Sequence, residues 1–278
     1  MSKEKDKISP VNIITIDGPA GAGKSTVARQ LAAVLSNSYE LGKQFEYIDT
    51  GSMYRAATLH AIRQKVDWND RAKIAQLIIK TAKIEIVDGE TFLNGKNVTA
   101  AVRSQKVTKH SKFIADNKTV RNFLIKLQRN IAKKLIKQGK GIITEGRDQG
   151  TLAFPDADYK FYLTASAKER AIRRCTDLLL LGTPSKNVVF GQVLEEINQR
   201  DERDKNRKFG ALIKADDAIE VNTDNISSPK VVEQLKQIIT GKNKKPVTKR
   251  ATKKKTIQKK TIQKKTTRKK TIRKSTKG

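Results

Sequence analysis

The 278-residue chain carries 59 Lys and Arg against 28 Asp and Glu, a formal charge of +31, with 37% hydrophobic residues. That apolar share is low for a fully packed chain, so part of it is expected outside the core, and the length allows one large domain or two small ones. One cysteine, Cys175, excludes an internal disulfide and fits a reducing compartment. No apolar run is long enough for a bilayer, and charged Met1 to Ser9 lacks a signal-peptide core. The expectation is a cytoplasmic protein with no membrane contact.

The charge is uneven. Residues 241–278 hold 18 Lys and Arg and no acid, against 41 basic and 28 acidic side chains in the other 240 residues. Thr256-Ile257-Gln258-Lys259-Lys260 recurs from Thr261. A five-residue period matches neither a helix face nor a strand face, so 241–278 reads as a disordered Lys/Arg-rich tail. It has no aromatics, which points to sequence-nonspecific, salt-sensitive association with nucleic acid or another polyanion. A solubilising extension is the bland alternative.

In chain order, Val11–Asp17 reads as a buried strand and Lys24–Leu35 as a helix with Val27, Ala28, Leu31 and Leu35 at helical spacing. Phe45–Ile48 is a second strand, followed by a helix from about Met53, and Asp70–Ala82 is helical. Ile84–Val87, Thr91–Leu93 and the turns Asp88-Gly89 and Asn94-Gly95 predict a small antiparallel patch. Val120–Gln138 is a long amphipathic helix. Gly141–Thr144, Tyr159–Leu163 and Ala218–Val221 complete the main strands, with helices over Ala167–Leu181, Phe190–Arg203 and Ser228–Ile239. Alternation of this kind predicts an α/β fold, a parallel five-stranded sheet covered by helices on both faces.

Gly18-Pro19-Ala20-Gly21-Ala22-Gly23-Lys24-Ser25, followed by Thr26, matches GxxxxGK[ST] between a strand and a helix. Glycines let main-chain N–H groups turn toward phosphate oxygens, and the helix start adds its positive end. Lys24 reaches the β- and γ-phosphates, and the Ser25 hydroxyl ligates Mg²⁺ carried with ATP. The motif predicts nucleotide binding and leaves the acceptor open.

Three segments bear on the acceptor. Asp49-Thr50-Gly51-Ser52-Met53-Tyr54-Arg55 follows the second strand, where ligands of open α/β sheets sit. It equally fits an ordinary helix cap with a surface arginine. Glu145-Gly146-Arg147-Asp148-Gln149-Gly150 follows the third strand and is either a site loop or a salt-bridged loop. Arg200, Asp204 and Arg207 fall on one helix face by spacing. Such runs are usually solvated, but charge on a transferring phosphoryl group gives arginines a use.

These segments, with the phosphate loop and Phe154-Pro155-Asp156-Ala157, together resemble the bacterial cytidylate kinase family over Val11 to Ile239. The resemblance implies a P-loop kinase fold with a monophosphate-binding β insertion at 83–118 and a helical lid at 170–207, inside a domain 11–240 that follows an N-terminal extension, 1–10. It implies transfer from ATP to CMP or dCMP; a monomer is the expectation for the assembly. In this reading Lys24 and the loop amides hold ATP, with Arg173 on the lid helix, where Arg170 and Arg174 also lie. Thr50 lines the CMP site and Tyr54 packs near the pyrimidine. Arg55, Arg147 and Arg207 grip the CMP phosphate or the transferring group, Asp148 and Arg121 read the base, and Arg200 and Asp204 hold the sugar. Lys24, Arg147 and Arg207 are the catalytic set.

The sequence departs from the family twice. Glu145 stands where Asp is commoner, and the base-contacting serine, assigned to Ser111, is off by one, with Lys112 in the better-matched place. AMP, UMP or shikimate as acceptor, and a nucleic-acid-binding protein with a secondary kinase body, are the competing readings. His60, His110, Trp68 and Cys175 are expected to be structural.

Overall fold

A computed structural model describes residues 11–180 and 182–241. The N-terminal extension and the tail from Lys242 onward lie outside the described residues. The main sheet is built from β1 (Ile13–Asp17), β2 (Phe45–Asp49), β6 (Gly141–Gly146), β7 (Tyr159–Thr164) and β8 (Ile219–Asn222), in the order β2-β6-β1-β7-β8, every pair parallel. Three shorter strands, β3 (Ile84–Val87), β4 (Glu90–Leu93) and β5 (Lys96–Asn97), form the antiparallel patch. Both sheets match the sequence expectation.

Strand alternation sorts the core into two layers. Ile14, Ile16, Ile143, Phe161 and Leu163 pack with Leu31 and Leu35 of α1 (Lys24–Ser36) and Leu235 of α8 (Ser228–Ile239). On the other face Ile142 and Ile48 pack with Met53 of α2 (Thr50–Arg63), Ile74 of α3 (Arg71–Thr81), Ile114 of α4 (Gln105–Ala115) and Leu124 of α5 (Lys118–Lys137). A separate small cluster of Ala171, Val193 and Ile197 joins α6 (Ala167–Leu180) to α7 (Phe190–Lys205).

Several boundaries differ from expectation for local reasons. α2 begins at Thr50 rather than Met53, because Asp49 caps it by accepting the Ser52 amide at 2.8 Å. α4 was not expected; its buried apolar contacts are only Val107 and Ile114. α7 ends at Lys205, so Arg207 stands past the helix and is not set by helical register. Gln149–Ala153 forms a π-helical turn.

The residues expected to be structural behave so. Buried His60 meets Thr81 Oγ1 through Nε2 at 2.7 Å, tying α2 to α3. Trp68 packs on His110 and Phe113, with ring centroids 4.9 and 5.2 Å away. No described helix is long and apolar enough to cross a membrane.

Candidate active site

The phosphate loop leaves β1 through Gly18, whose φ of +148° suits glycine and whose missing Cβ would fall 2.1 Å from the Leu163 carbonyl oxygen. Gly21 and Gly23 also take positive φ, curling the chain as a phosphate cradle requires. Lys24 is buried and donates from Nζ to the Pro19 carbonyl at 2.7 Å. Burial, then the charges of Arg147 and Arg200, push its ammonium down to about 7 against the pull of Glu145 and Asp17. The Ser25 hydroxyl donates to Glu145 Oε1 at 3.0 Å, and the Tyr47 hydroxyl approaches the same oxygen at 3.5 Å. Register explains the pairing: Glu145 lies beside Ile16 and Asp49 in the sheet, at the strand ends that face the loop.

Two arginines of α6 anchor it, Arg170 to the phosphate loop and Arg173 to Thr223 just past β8. Arg170 donates to the Ala20 carbonyl at 3.0 Å and pairs with Asp201 at 2.7 Å. Arg173 donates to the Thr223 carbonyl at 2.6 Å and pairs with Glu169 at 2.9 Å. Arg174 is exposed, as is Thr26.

On the other side of the loop lies a network of guanidiniums and carboxylates. Arg147 Nε and Arg207 Nη2 both reach Asp204, at 2.8 and 2.6 Å. Arg207 also pairs with Asp116 at 2.8 Å and donates to the Gly210 carbonyl at 3.1 Å. Burial opposes the Asp204 carboxylate, but Arg147, Arg207 and Arg200 outweigh it and hold it down at about 2. Arg55 pairs with Asp49 at 3.2 Å. Arg200 reaches solvent and enters no ion pair among the described residues. The surrounding protein and the Arg147 charge, then Arg55 and Arg203, hold its guanidinium below the usual arginine range despite Asp204, although the side chain is open to solvent. Crowding of like charges around an unpaired guanidinium is the electrostatic signature of a place meant for an anion.

The third part is a buried fork. Arg121 grips Asp148 with Nη2 and Nε, at 2.7 and 3.0 Å. The Arg121 guanidinium lies 5.1 Å from the centre of the Tyr54 ring. The Tyr54 hydroxyl is buried with no hydrogen-bond partner among the described residues, a loose end that a polar ligand would satisfy. Gly210, at φ +67°, crosses so close that a Cβ there would fall 2.1 Å from Arg121 Nε.

Residues 14–241 match the family model described as cytidylate kinase. A protein of Bacillus cereus (strain ATCC 10987 / NRS 248) named cytidylate kinase is 39% identical over 232 residues, covering 82% of this chain and 96% of its own. A cytidylate kinase of Caldanaerobacter subterraneus subsp. tengcongensis is 40% identical over 226 residues, covering 81% and 93%. This chain belongs to the cytidylate kinase family.

Of the residues read from the sequence toward that family's site, the structure brings Lys24, Arg147, Arg200, Asp204 and Arg207 into one electrostatic group, and Arg121, Asp148 and Tyr54 into another. Thr50 is buried and donates to the Glu145 carbonyl at 2.6 Å, so its hydroxyl braces the strand ends. Ser111 spends its hydroxyl on the Thr108 carbonyl at 2.8 Å, on α4; no hydrogen bond among the described residues ties it to either group. Sequence reasoning missed Asp116 and Asp17. Asp116 meets Arg207 from 91 positions away. Asp17 receives the backbone amides of Gln149 and Gly150, and its place directly before Gly18 was the one available signal.

Proposed function

We infer that this chain transfers the γ-phosphoryl group of ATP to CMP or dCMP, giving ADP and (d)CDP. What supports the reading is that Asp17, directly before the phosphate loop, accepts the Gln149 and Gly150 amides, which holds the loop bearing Arg147 and Asp148 beside it. A triphosphate site and a second anion site therefore adjoin, as direct transfer between two nucleotides requires.

In this reading Lys24 leaves the Pro19 carbonyl for the β- and γ-phosphates, whose charge restores its ammonium. Arg55, Arg147 and Arg207 orient the CMP phosphate as planar forks. The Arg121–Asp148 pair presents donors and an acceptor to the cytosine edge, with Tyr54 beside the ring. Arg200 and Asp204 take the sugar. The oxygen donors of Ser25 and Glu145 fit Mg²⁺, and these two residues would hold it with ATP. That ion supplies neutralisation of charge on the phosphate oxygens. No covalent enzyme intermediate is needed, since in-line placement lets the phosphoryl group pass directly.

The β insertion, 83–118, serves the monophosphate side, and the lid region, 170–207, closes over ATP. The enzyme works as a cytoplasmic monomer, a compartment that the single cysteine fits. The tail, 241–278, adds nonspecific polyanion association through its 18 cations. Chromatography of a reaction with ATP, Mg²⁺ and CMP tests the assignment: ADP and CDP appear in equal amounts, and ADP without CDP refutes it.

A further inference from the structure

The basic excess of the body is local. Residues 91–144 hold 13 Lys and Arg and one acid, Asp116, whereas the rest of 1–240 holds 28 basic and 27 acidic side chains. Most of that excess sits on and beside α5, whose twenty residues include no Asp or Glu. Val120, Leu124, Ile125 and Ala132 bury its inner side. Its outer side exposes Lys118, Asn122, Lys126, Arg129, Lys133 and Lys137. Their spacing of three or four residues aligns them in one row. At 1.5 Å per residue the row is about 28 Å long.

A merely solvated helix face usually mixes both signs, since an acid at i+4 from a base stabilises the helix. Here Arg129, Lys133 and Lys137 are successive i,i+4 like-charge neighbours, an arrangement that destabilises the helix. Lys126, Lys133 and Lys137 enter no ion pair among the described residues. Arg129 donates only to the neutral carbonyls of Ala153 and Leu152, so its charge stays uncompensated. One row over on the same helix, half-buried Phe123 and Leu127 line a groove of about 420 Å³ with Lys80 at its edge, beside Lys83 and Glu85, which pair with each other at 3.3 Å. A track of cations beside an aromatic edge is the combination that holds a single strand, phosphates on the charges and a base against the ring.

We propose that the outer face of α5 binds single-stranded nucleic acid without sequence preference, its phosphates along Lys126, Arg129, Lys133 and Lys137 and a base at the Phe123 groove. The surface is separate from the nucleotide site and makes no use of the tail.

Lysine acylation footprinting of the full chain, read by mass spectrometry with and without a 20-nucleotide single-stranded oligonucleotide, tests it. Lys126, Lys133 and Lys137 become several-fold less reactive, while exposed Lys168 and Lys230 on α6 and α8 keep their rates. A full-length K126Q/K133Q/K137Q variant keeps wild-type CMP turnover, which certifies its fold. Its oligonucleotide affinity falls less steeply with salt, the log–log slope dropping by about 2 for three lost phosphate contacts. Protection confined to lysines beyond Gly241, or a triple variant with the wild-type slope, overturns the proposal.

Discussion

Asp17 Oδ2 accepts the backbone amide of Gly150 at 2.7 Å, and its Oδ1 accepts that of Gln149 at 2.9 Å. The strand end that launches the phosphate loop therefore holds the loop that carries Arg147 and Asp148. One buried carboxylate ties the start of the phosphate loop to the guanidinium-bearing loop after β6. An Asp17→Asn side chain keeps one acceptor and turns an amide N–H₂ toward the other backbone donor. Losing a hydrogen bond to a charged group costs about 1.5–3 kcal/mol. We expect kcat/KM for CMP to fall about tenfold to a hundredfold while KM for ATP changes little. Unchanged steady-state kinetics would show that the clamp does not matter to turnover.

The same carboxyl sets a pH dependence. Burial, with Asp148 nearby, pushes Asp17 up to about 6, opposed by the two amides and by Lys24. The charged form is the better acceptor, so turnover of CMP should decline as pH falls through 6. The acid limb of the wild-type kcat/KM profile is expected to be missing from Asp17→Asn, and its persistence would assign the limb to another group.

Asp204 has the opposite sign. Its carboxyl is held at about 2 in the fold against an ordinary 3.8, so the stability it contributes is present above about pH 4. That contribution, about 2 kcal/mol, is lost as pH falls from 4 to 2. Urea unfolding across this window should show the loss in the wild-type protein and not in Asp204→Asn, whose stability is lower already at neutral pH.

Lys24→Ala should separate catalysis from folding. A lysine held at about 7 by burial and cationic neighbours adds no stability as an ammonium. The variant should melt at or above the wild-type temperature while kcat falls by about a hundredfold or more. Thermal denaturation and single-substrate kinetics decide it; a variant that melts much earlier would give Lys24 a structural part.

Gly210→Ala tests the close approach of the backbone to the Arg121–Asp148 pair. Its Cβ would fall 2.1 Å from Arg121 Nε and 2.5 Å from Asp148 Oδ2, at a φ of +67° that alanine disfavours. The loop must move, and kcat/KM for CMP is expected to drop at least tenfold. Wild-type kinetics would show that the backbone there is free to shift.

What could be read from the sequence was what is encoded locally. The phosphate loop, the sheet strands and the turn-broken β patch each carry their signal within a dozen residues. α4 escaped because only Val107 and Ile114 are fully buried, with Phe113 and Ala115 half-buried at its end, in a segment otherwise polar and basic. Arg207 was placed on α7 by spacing, but the helix stops at Lys205 and its position comes from Asp204, Asp116 and Gly210. The Asp17 and Asp116 contacts span 132 and 91 positions. No periodicity reports partners so distant; the Asp17 contact exists only once β1 and β6 lie side by side, and the Asp116 contact only once the end of α4 meets the segment after α7.

The central claim is that the cleft beside the phosphate loop takes a cytidine monophosphate. Initial rates with ATP and a panel of CMP, dCMP, UMP, AMP and shikimate test it most directly. CMP and dCMP should be phosphorylated fastest, by at least tenfold in kcat/KM; faster turnover of AMP, UMP or shikimate would contradict a cytidine monophosphate site.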